Sequence, residues 1–312
     1  MEYFWIPLLA LVIDAICADP SFFPHPVQAI GGILNRLEVR VRKNFPNRLG
    51  GVLSLCILLL IVYIIVGGLV DIPKIGWIFA LYFSWAGLAL GSLLREGTKA
   101  VHAISSGTIE EGRQAVSMLV SRDVSQAPEE TLYKTLAETL SENFNDGIIA
   151  PFFWLVLSGP VGLWLYKATS TMDSMWGYKN EKWLALGWAG AKFDDLLAYV
   201  PARFSAMFLQ STAALAGLGT KGRLWDSVAV DAAKMESPNA GWPMAMAAHL
   251  YERPMGGSAV YFGAVKEKPV LGRGELQWDE HSLLQLIKHL RLAAIFGCGL
   301  MWLIVTMVRW IL

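Results

Sequence analysis

Residues 49–94 read LGGVLSLCILLLIVYIIVGGLV, then DIPK, then IGWIFALYFSWAGLALGSLL. The two flanking runs carry no charge, and only Asp71-Ile72-Pro73-Lys74 joins them. A helix needs about 20 apolar residues to cross the ~30 Å hydrocarbon core of a bilayer, and each run supplies them. This is a helical hairpin in a membrane, and it sets the class of the whole chain. Composition agrees: of 312 residues 54% are hydrophobic and only 17% charged, with a mean hydropathy of +0.44. A soluble domain is about a quarter charged. The 13 Trp fit as well, since indole favours the water–lipid boundary.

Outward from the hairpin, Leu292 to Leu312 is a further span, with Arg309 near enough to its end to snorkel. Tyr3 to Ala18 is a shorter one containing Asp14. No Lys or Arg precedes Arg36, so it is not read as a signal peptide. Expected spans are therefore about 3–18, 49–70, 75–94 and 292–312. Two other apolar segments are broken: 147–168 by Pro151, Gly159, Pro160 and Gly162, and 196–219 by Pro201 and Arg203. They are expected as buried or re-entrant helices within one membrane-embedded domain, with six ordinary crossings as the alternative. With four crossings, 24 of the 26 Lys and Arg fall in segments 19–48 and 95–291. The positive-inside rule then puts those segments in the cytoplasm and both termini outside. The expected architecture is all-α and polytopic in the cell (inner) membrane, with strand signals weak and a long loop around 252–274.

A formal charge of zero gives no basic surplus for nucleic acid. Cys17, Cys56 and Cys298 lie in apolar runs without metal-ligand spacing, and the five His form no zinc pair. No Gly-x4-Gly-Lys-Ser/Thr occurs, so a nucleotide would not sit on a P-loop. Ionisable residues instead gather in four places. Asp14, Asp19, His25 and Glu38 form the first, where a cap for a helix end is the plain reading of Asp19. Glu138, Glu142 and Asp146 fall on one helical stripe with Asn143 beside it; three carboxylates so placed repel one another unless a cation or a basic partner neutralises them, and oxygen ligands of this kind suit Mg²⁺. Asp173, Lys179, Asp194, Asp195 and Arg203 form the third, with Lys179 and Arg203 as natural phosphate partners. The fourth is the turn-rich stretch Glu236-Ser237-Pro238-Asn239-Ala240-Gly241-Trp242-Pro243, where Asn239 is a candidate substrate-binding residue.

At these positions the chain resembles the adenosylcobinamide-phosphate synthase family (CbiB/CobD). The resemblance rests on ADPSFFPHPV at 18–27, ETLSENFNDGIIAPFFW at 138–154, TMDSMWGYKNEKW at 171–183, AKFDDLLAYVPAR at 191–203 and SPNAGWP at 237–243. It departs at Ser170-Thr171-Met172, where the family usually has Asn-Thr before Leu-Asp-Ser-Met, and at Glu236, where a His is frequent. The resemblance implies a ligase that spends ATP to join adenosylcobyric acid to (R)-1-aminopropan-2-ol phosphate through an amide. It implies Mg²⁺ at Glu138, Glu142 and Asp146, and phosphates at Lys179 and Arg203. Asp19, His25, Asp173, Asp194 or Asp195 would orient or deprotonate the amine. The implied partners are the two substrates, the lipid bilayer and other late-stage corrinoid-assembly membrane enzymes. A non-enzymatic membrane sensor and a transporter, the latter suggested by Asp14, are the competing readings.

Overall fold

The computed structural model describes residues 4–18, 25–219, 222–261 and 264–311. It is predominantly helical, and the chain divides into two compact units, each discontinuous in sequence. The first comprises 1–91, 146–198 and 298–312; the second comprises 92–145 and 199–297. By length and composition, four helical runs among the described residues can cross a membrane: Arg48–Val70, Gly76–Ser106, Glu129–Trp176 and Glu280–Ile311. Two of these are interrupted.

In the first unit, α1 (Ile6–Cys17) precedes α2 (Pro26–Asn44) and α3 (Arg48–Val70), the uninterrupted first arm of the hairpin. With 12 residues α1 is about 18 Å long, well short of the hydrocarbon core, so the span expected at 3–18 is only a partial one. The second arm, expected at 75–94, lies within one of the four runs able to cross a membrane but is interrupted. It stops as α4 (Gly76–Ala86) and restarts as α5 (Leu90–Ser106). The cause is Asp14 on α1, whose buried Oδ2 accepts the backbone N–H of Leu90 (2.7 Å) and of Gly91 (3.3 Å). A carboxylate on a neighbouring helix thus caps the first donors of α5. The Ala89 N–H at the break donates to the Gly147 carbonyl at 3.0 Å.

α8 (Ala150–Trp176) is two helices in one, because Gly159 has φ 68° and ψ −167°. Glycine alone adopts that backbone without strain, and Pro160 cannot supply the next helical N–H. The chain doubles back there. Ala150 and Tyr166, on opposite limbs, belong to one buried cluster with Ala198, and a Cβ at Gly162 would lie 3.0 Å from the Trp154 carbonyl. Segment 147–168 is therefore two helical limbs joined by a reversal at Gly159-Pro160. Trp154 Nε1 ties the first limb to the Leu197 carbonyl of α9 (Trp188–Leu197) at 3.1 Å, and Trp164 Nε1 ties the second to Phe83 of α4 at 2.8 Å.

The second unit holds α6 (Ile109–Ser117), α7 (Glu129–Phe144), α10 (Tyr199–Thr212), α11 (Trp225–Ala232), α12 (Gly241–Tyr251) and the larger part of α13 (Glu280–Ile311). α12 is buried along its length and packs on α7, α10 and α11. The loop expected around 252–274 is instead an antiparallel hairpin of β1 (Met255–Tyr261) and β2 (Ala264–Leu271), with Ser258 opposite Glu267. Gly256, Gly257 and Gly272, all at positive φ, bend the chain into and out of it. The Lys-Glu-Lys run in β2 and the glycines in β1 hide the usual strand alternation.

Candidate functional site

Doubling back at Gly159 brings the two ends of α8 to one region of the first unit. Asp146 sits in a π-helical turn, Asn145–Ile149, just before the first limb, and Asp173 near the end of the second. Both act electrostatically on Asp194 of α9, as does its neighbour Asp195. Lys192 meets Asp195 at 3.2 Å on the exposed side. Asp194 is the exceptional member. Burial, reinforced by the charges of Asp146, Asp173 and Asp195, pushes its carboxyl well above the ordinary carboxylate range. Its Oδ1 is buried and accepts no hydrogen bond. The Tyr166 side chain, 1% exposed, lies within electrostatic reach of Asp146, Asp173 and Asp194. Like charges so placed are stable only if protonated or answered by a cation.

Among the described residues no three His, Cys, Asp or Glu side chains form a protein-only metal cage. Mg²⁺ does not require one: it keeps several waters and takes one or two carboxylates together with substrate phosphates. The orphaned Asp194 oxygen and its acidic neighbours fit such an ion.

The acidic stripe expected at Glu138, Glu142 and Asp146 is divided. Bonding i→i+5 through the π turn rotates the chain beyond it away from the α-helical register, and Asp146 belongs to the first unit while the two glutamates belong to the second. Glu138, 1% exposed, has both oxygens engaged: Oε2 accepts from Arg122 Nη2 at 2.5 Å and Oε1 from the Gly256 N–H at 2.7 Å. Glu142 is half-buried, with Lys268 and Arg122 within electrostatic reach. Glu138 is thus answered by the protein's own cation, Arg122.

Also in the second unit, Arg203 lies between two rings, 3.4 Å from the Tyr199 centroid and 4.7 Å from that of Trp242. Its Nη1 donates to the Tyr199 carbonyl at 2.7 Å and to Asn239 Oδ1 at 3.1 Å. Asn239 is buried, and Ser237 Oγ accepts the N–H of Asn239 and of Ala240, which shapes the turn before α12. Two ring contacts and a fixed Nη1 hold the guanidinium in one orientation, as recognition of an oxyanion requires.

Lys179 is exposed, in the first unit, on the segment that comes after α8. That segment is docked on α2: Lys182 Nζ meets Glu38 at 3.1 Å, and Arg42 pairs with Glu38 at 2.8 Å while stacking on Trp183. His25 is the N-cap of α2, its Nδ1 accepting the Val27 N–H at 3.2 Å. Asp19 lies outside the described residues.

A family model described as CobD/Cbib protein matches residues 7–290. The chain belongs to the CobD/Cbib family of cobalamin biosynthesis proteins. It is 39% identical over 271 residues to the cobalamin biosynthesis protein CobD of Pelobacter propionicus, covering 85% of this chain and 83% of that one. Against the CobD of Geobacter metallireducens it is 38% identical over 277 residues, 86% of each chain. Against that of Listeria monocytogenes it is 33% identical over 300 residues, 91% and 93% of the two chains. No solved structure matches it. Within this CobD-family chain, sequence reasoning missed Tyr166, Arg122, Tyr199 and Trp242. Tyr199 stands four residues before Arg203 and Trp242 within SPNAGWP, so both were within reach of a reading by helical spacing. Tyr166 and Arg122 left no such signal.

Proposed function

We propose that this membrane protein is the ligase that joins adenosylcobyric acid to (R)-1-aminopropan-2-ol phosphate, giving adenosylcobinamide phosphate at the expense of ATP. The reading rests above all on the gathering of Asp146, Asp173, Asp194 and Asp195, from three sequence motifs, around one orphaned carboxylate oxygen. Family membership supports the pathway, and the Arg203–Asn239 arrangement supports an anionic substrate.

A carboxylate at neutral pH is a poor electrophile, so the acid must first gain a leaving group. Transfer of the γ-phosphoryl of ATP to the carboxylate oxygen gives an acyl phosphate and ADP; the amine then attacks the carbonyl carbon and inorganic phosphate leaves with that oxygen. Mg²⁺ held by Asp194 with Asp146 or Asp173 would offset phosphate charge. Arg203, oriented by Asn239, grips a phosphate of ATP or of the aminopropanol. An aspartate of the cluster that does not hold the metal takes the proton that the amine must lose. Asp14, the residue that suggested transport, is occupied in capping α5. The active site faces the cytoplasm, where ATP is available, and the cell membrane hosts the protein beside other late-stage corrinoid-assembly enzymes.

The test uses protein purified in detergent with ATP, Mg²⁺, aminopropanol phosphate and adenosylcobyric acid labelled with ¹⁸O in the free carboxylate. Mass spectrometry should find the amide, ADP in equal amount, and one ¹⁸O in the released phosphate. AMP and pyrophosphate, or no amide, would refute the mechanism.

A further inference from the structure

Reversal at Gly159 leaves two carbonyls at the end of the first limb of α8 without helical partners. The Val156 oxygen faces position 160, where proline has no N–H, and the Leu157 oxygen faces a position beyond the turn. Arg309 Nη2, from the end of α13, donates to both at 2.9 Å. The cation therefore caps a helix C-terminus, where positive charge is favoured. No acid among the described residues pairs with Arg309.

Beside this cap, within the first unit, lies a cavity of about 460 Å³, lined by Val70, Ala80, Leu155, Pro160, Trp302 and Val305 with Arg309 as its charged group. That volume falls in the range of ligand sites, roughly 300–1,000 Å³. The lining is apolar and belongs to apolar helices. Trp302 Nε1 donates to the Phe4 carbonyl at 2.7 Å, and Trp310 is 81% exposed. Trp and Arg gathered at the end of apolar helices mark the boundary between hydrocarbon and headgroups. An apolar slot with one cation at that boundary matches an acyl chain joined to an anionic head better than a free polar solute.

We propose that this cavity binds an anionic phospholipid, one acyl chain against the Gly159–Pro160 turn and the headgroup phosphate on the free edge of Arg309. The site is remote in function from the amide chemistry and does not depend on it. Full-length protein, delipidated in detergent, would be titrated with phosphatidylglycerol, phosphatidylcholine of the same chains, and inorganic phosphate, with native mass spectrometry counting adducts. Phosphatidylglycerol should bind one to one and at least about tenfold more tightly than phosphatidylcholine, and inorganic phosphate should not compete. Arg309→Gln should weaken phosphatidylglycerol about tenfold or more. Thr306 also lines the cavity, and Thr306→Trp, which fills it and leaves the cap in place, should weaken both lipids. Equal binding of the two lipids, competition by inorganic phosphate, or unchanged binding in either variant would overturn the proposal. In the Arg309 case that would leave the side chain a helix cap only.

Discussion

Glu138→Gln separates a carboxylate that holds the fold from one that holds a metal. Glu138 is 1% exposed and its Arg122 partner 11% exposed, so the pair is largely removed from water. Removing one member of a buried pair costs roughly 3–5 kcal/mol, because the other is left charged and alone. Glu138→Ala should therefore lose about that much. Glu138→Gln keeps an oxygen for the Gly256 N–H and gives up the charge-assisted bond, about 1.5–3 kcal/mol. Adding Arg122→Met to Glu138→Gln removes the stranded cation while Gln still satisfies Gly256, so the double variant should recover most of the loss. Thermal and denaturant unfolding of detergent-purified protein gives the order wild type, double variant, Glu138→Gln, Glu138→Ala. The Mg²⁺ concentration for half-maximal turnover should stay within about threefold of wild type in all that fold, since about 0.65 kcal/mol separates that from no effect. A Glu138→Gln protein as stable as wild type, but needing tenfold more Mg²⁺, would refute the structural role and return Glu138 to the metal.

Arg203→Lys keeps the charge but loses the stacked fork, so the apparent KM for ATP or aminopropanol phosphate should rise at least about tenfold, with adenosylcobyric acid little affected; unchanged KM values would make Arg203 a structural anchor. Asp146→Asn should cut turnover and be partly rescued by high Mg²⁺, and rescue is the readout that distinguishes ligand from scaffold. Asp194→Asn should abolish turnover yet raise the thermal midpoint. Its carboxyl is held well above 3.8, so its contribution to stability is complete below that value and is lost as pH rises through the folded value. The stability gain of the variant should accordingly grow with pH, and a gain that shrinks would contradict the burial of a like-charge group. A single Cys in place of Lys179 should resist a membrane-impermeant thiol reagent added outside cells and react in inside-out vesicles.

What could be read from the sequence was what local composition encodes. The run 49–70 declared itself, since nothing beyond its own residues is needed to make α3. The break at 87–89 did not, because its cause is a carboxylate on α1 some 76 positions away. At 159–160 the Gly-Pro pair announced an interruption, but only the φ of Gly159 distinguishes a kink from a reversal. The same limit governed the site. Asp173, Asp194 and Asp195 stood out as charges in apolar surroundings. Their association with Asp146 depends on the reversal of α8 and on the π turn, neither of which leaves a periodicity to count. The hairpin at 255–271 escaped notice because glycine and charge occupy positions where strands normally alternate.

The turn at Gly159 also bears on how the chain is made. Its two bare carbonyls are satisfied by a residue 153 and 152 positions later. An unsatisfied peptide group in hydrocarbon costs several kcal/mol. While the nascent chain is short of Arg309, the limb at 150–158 has no permanent place in the lipid and must wait at the interface or in the shelter of the insertion machinery. Biogenesis should then proceed from the outer spans inward, with the re-entrant limb entering only after α13 has been threaded. A chain ending before residue 309 would be expected to leave residues 150–176 open to protease even though α3 is already in the membrane.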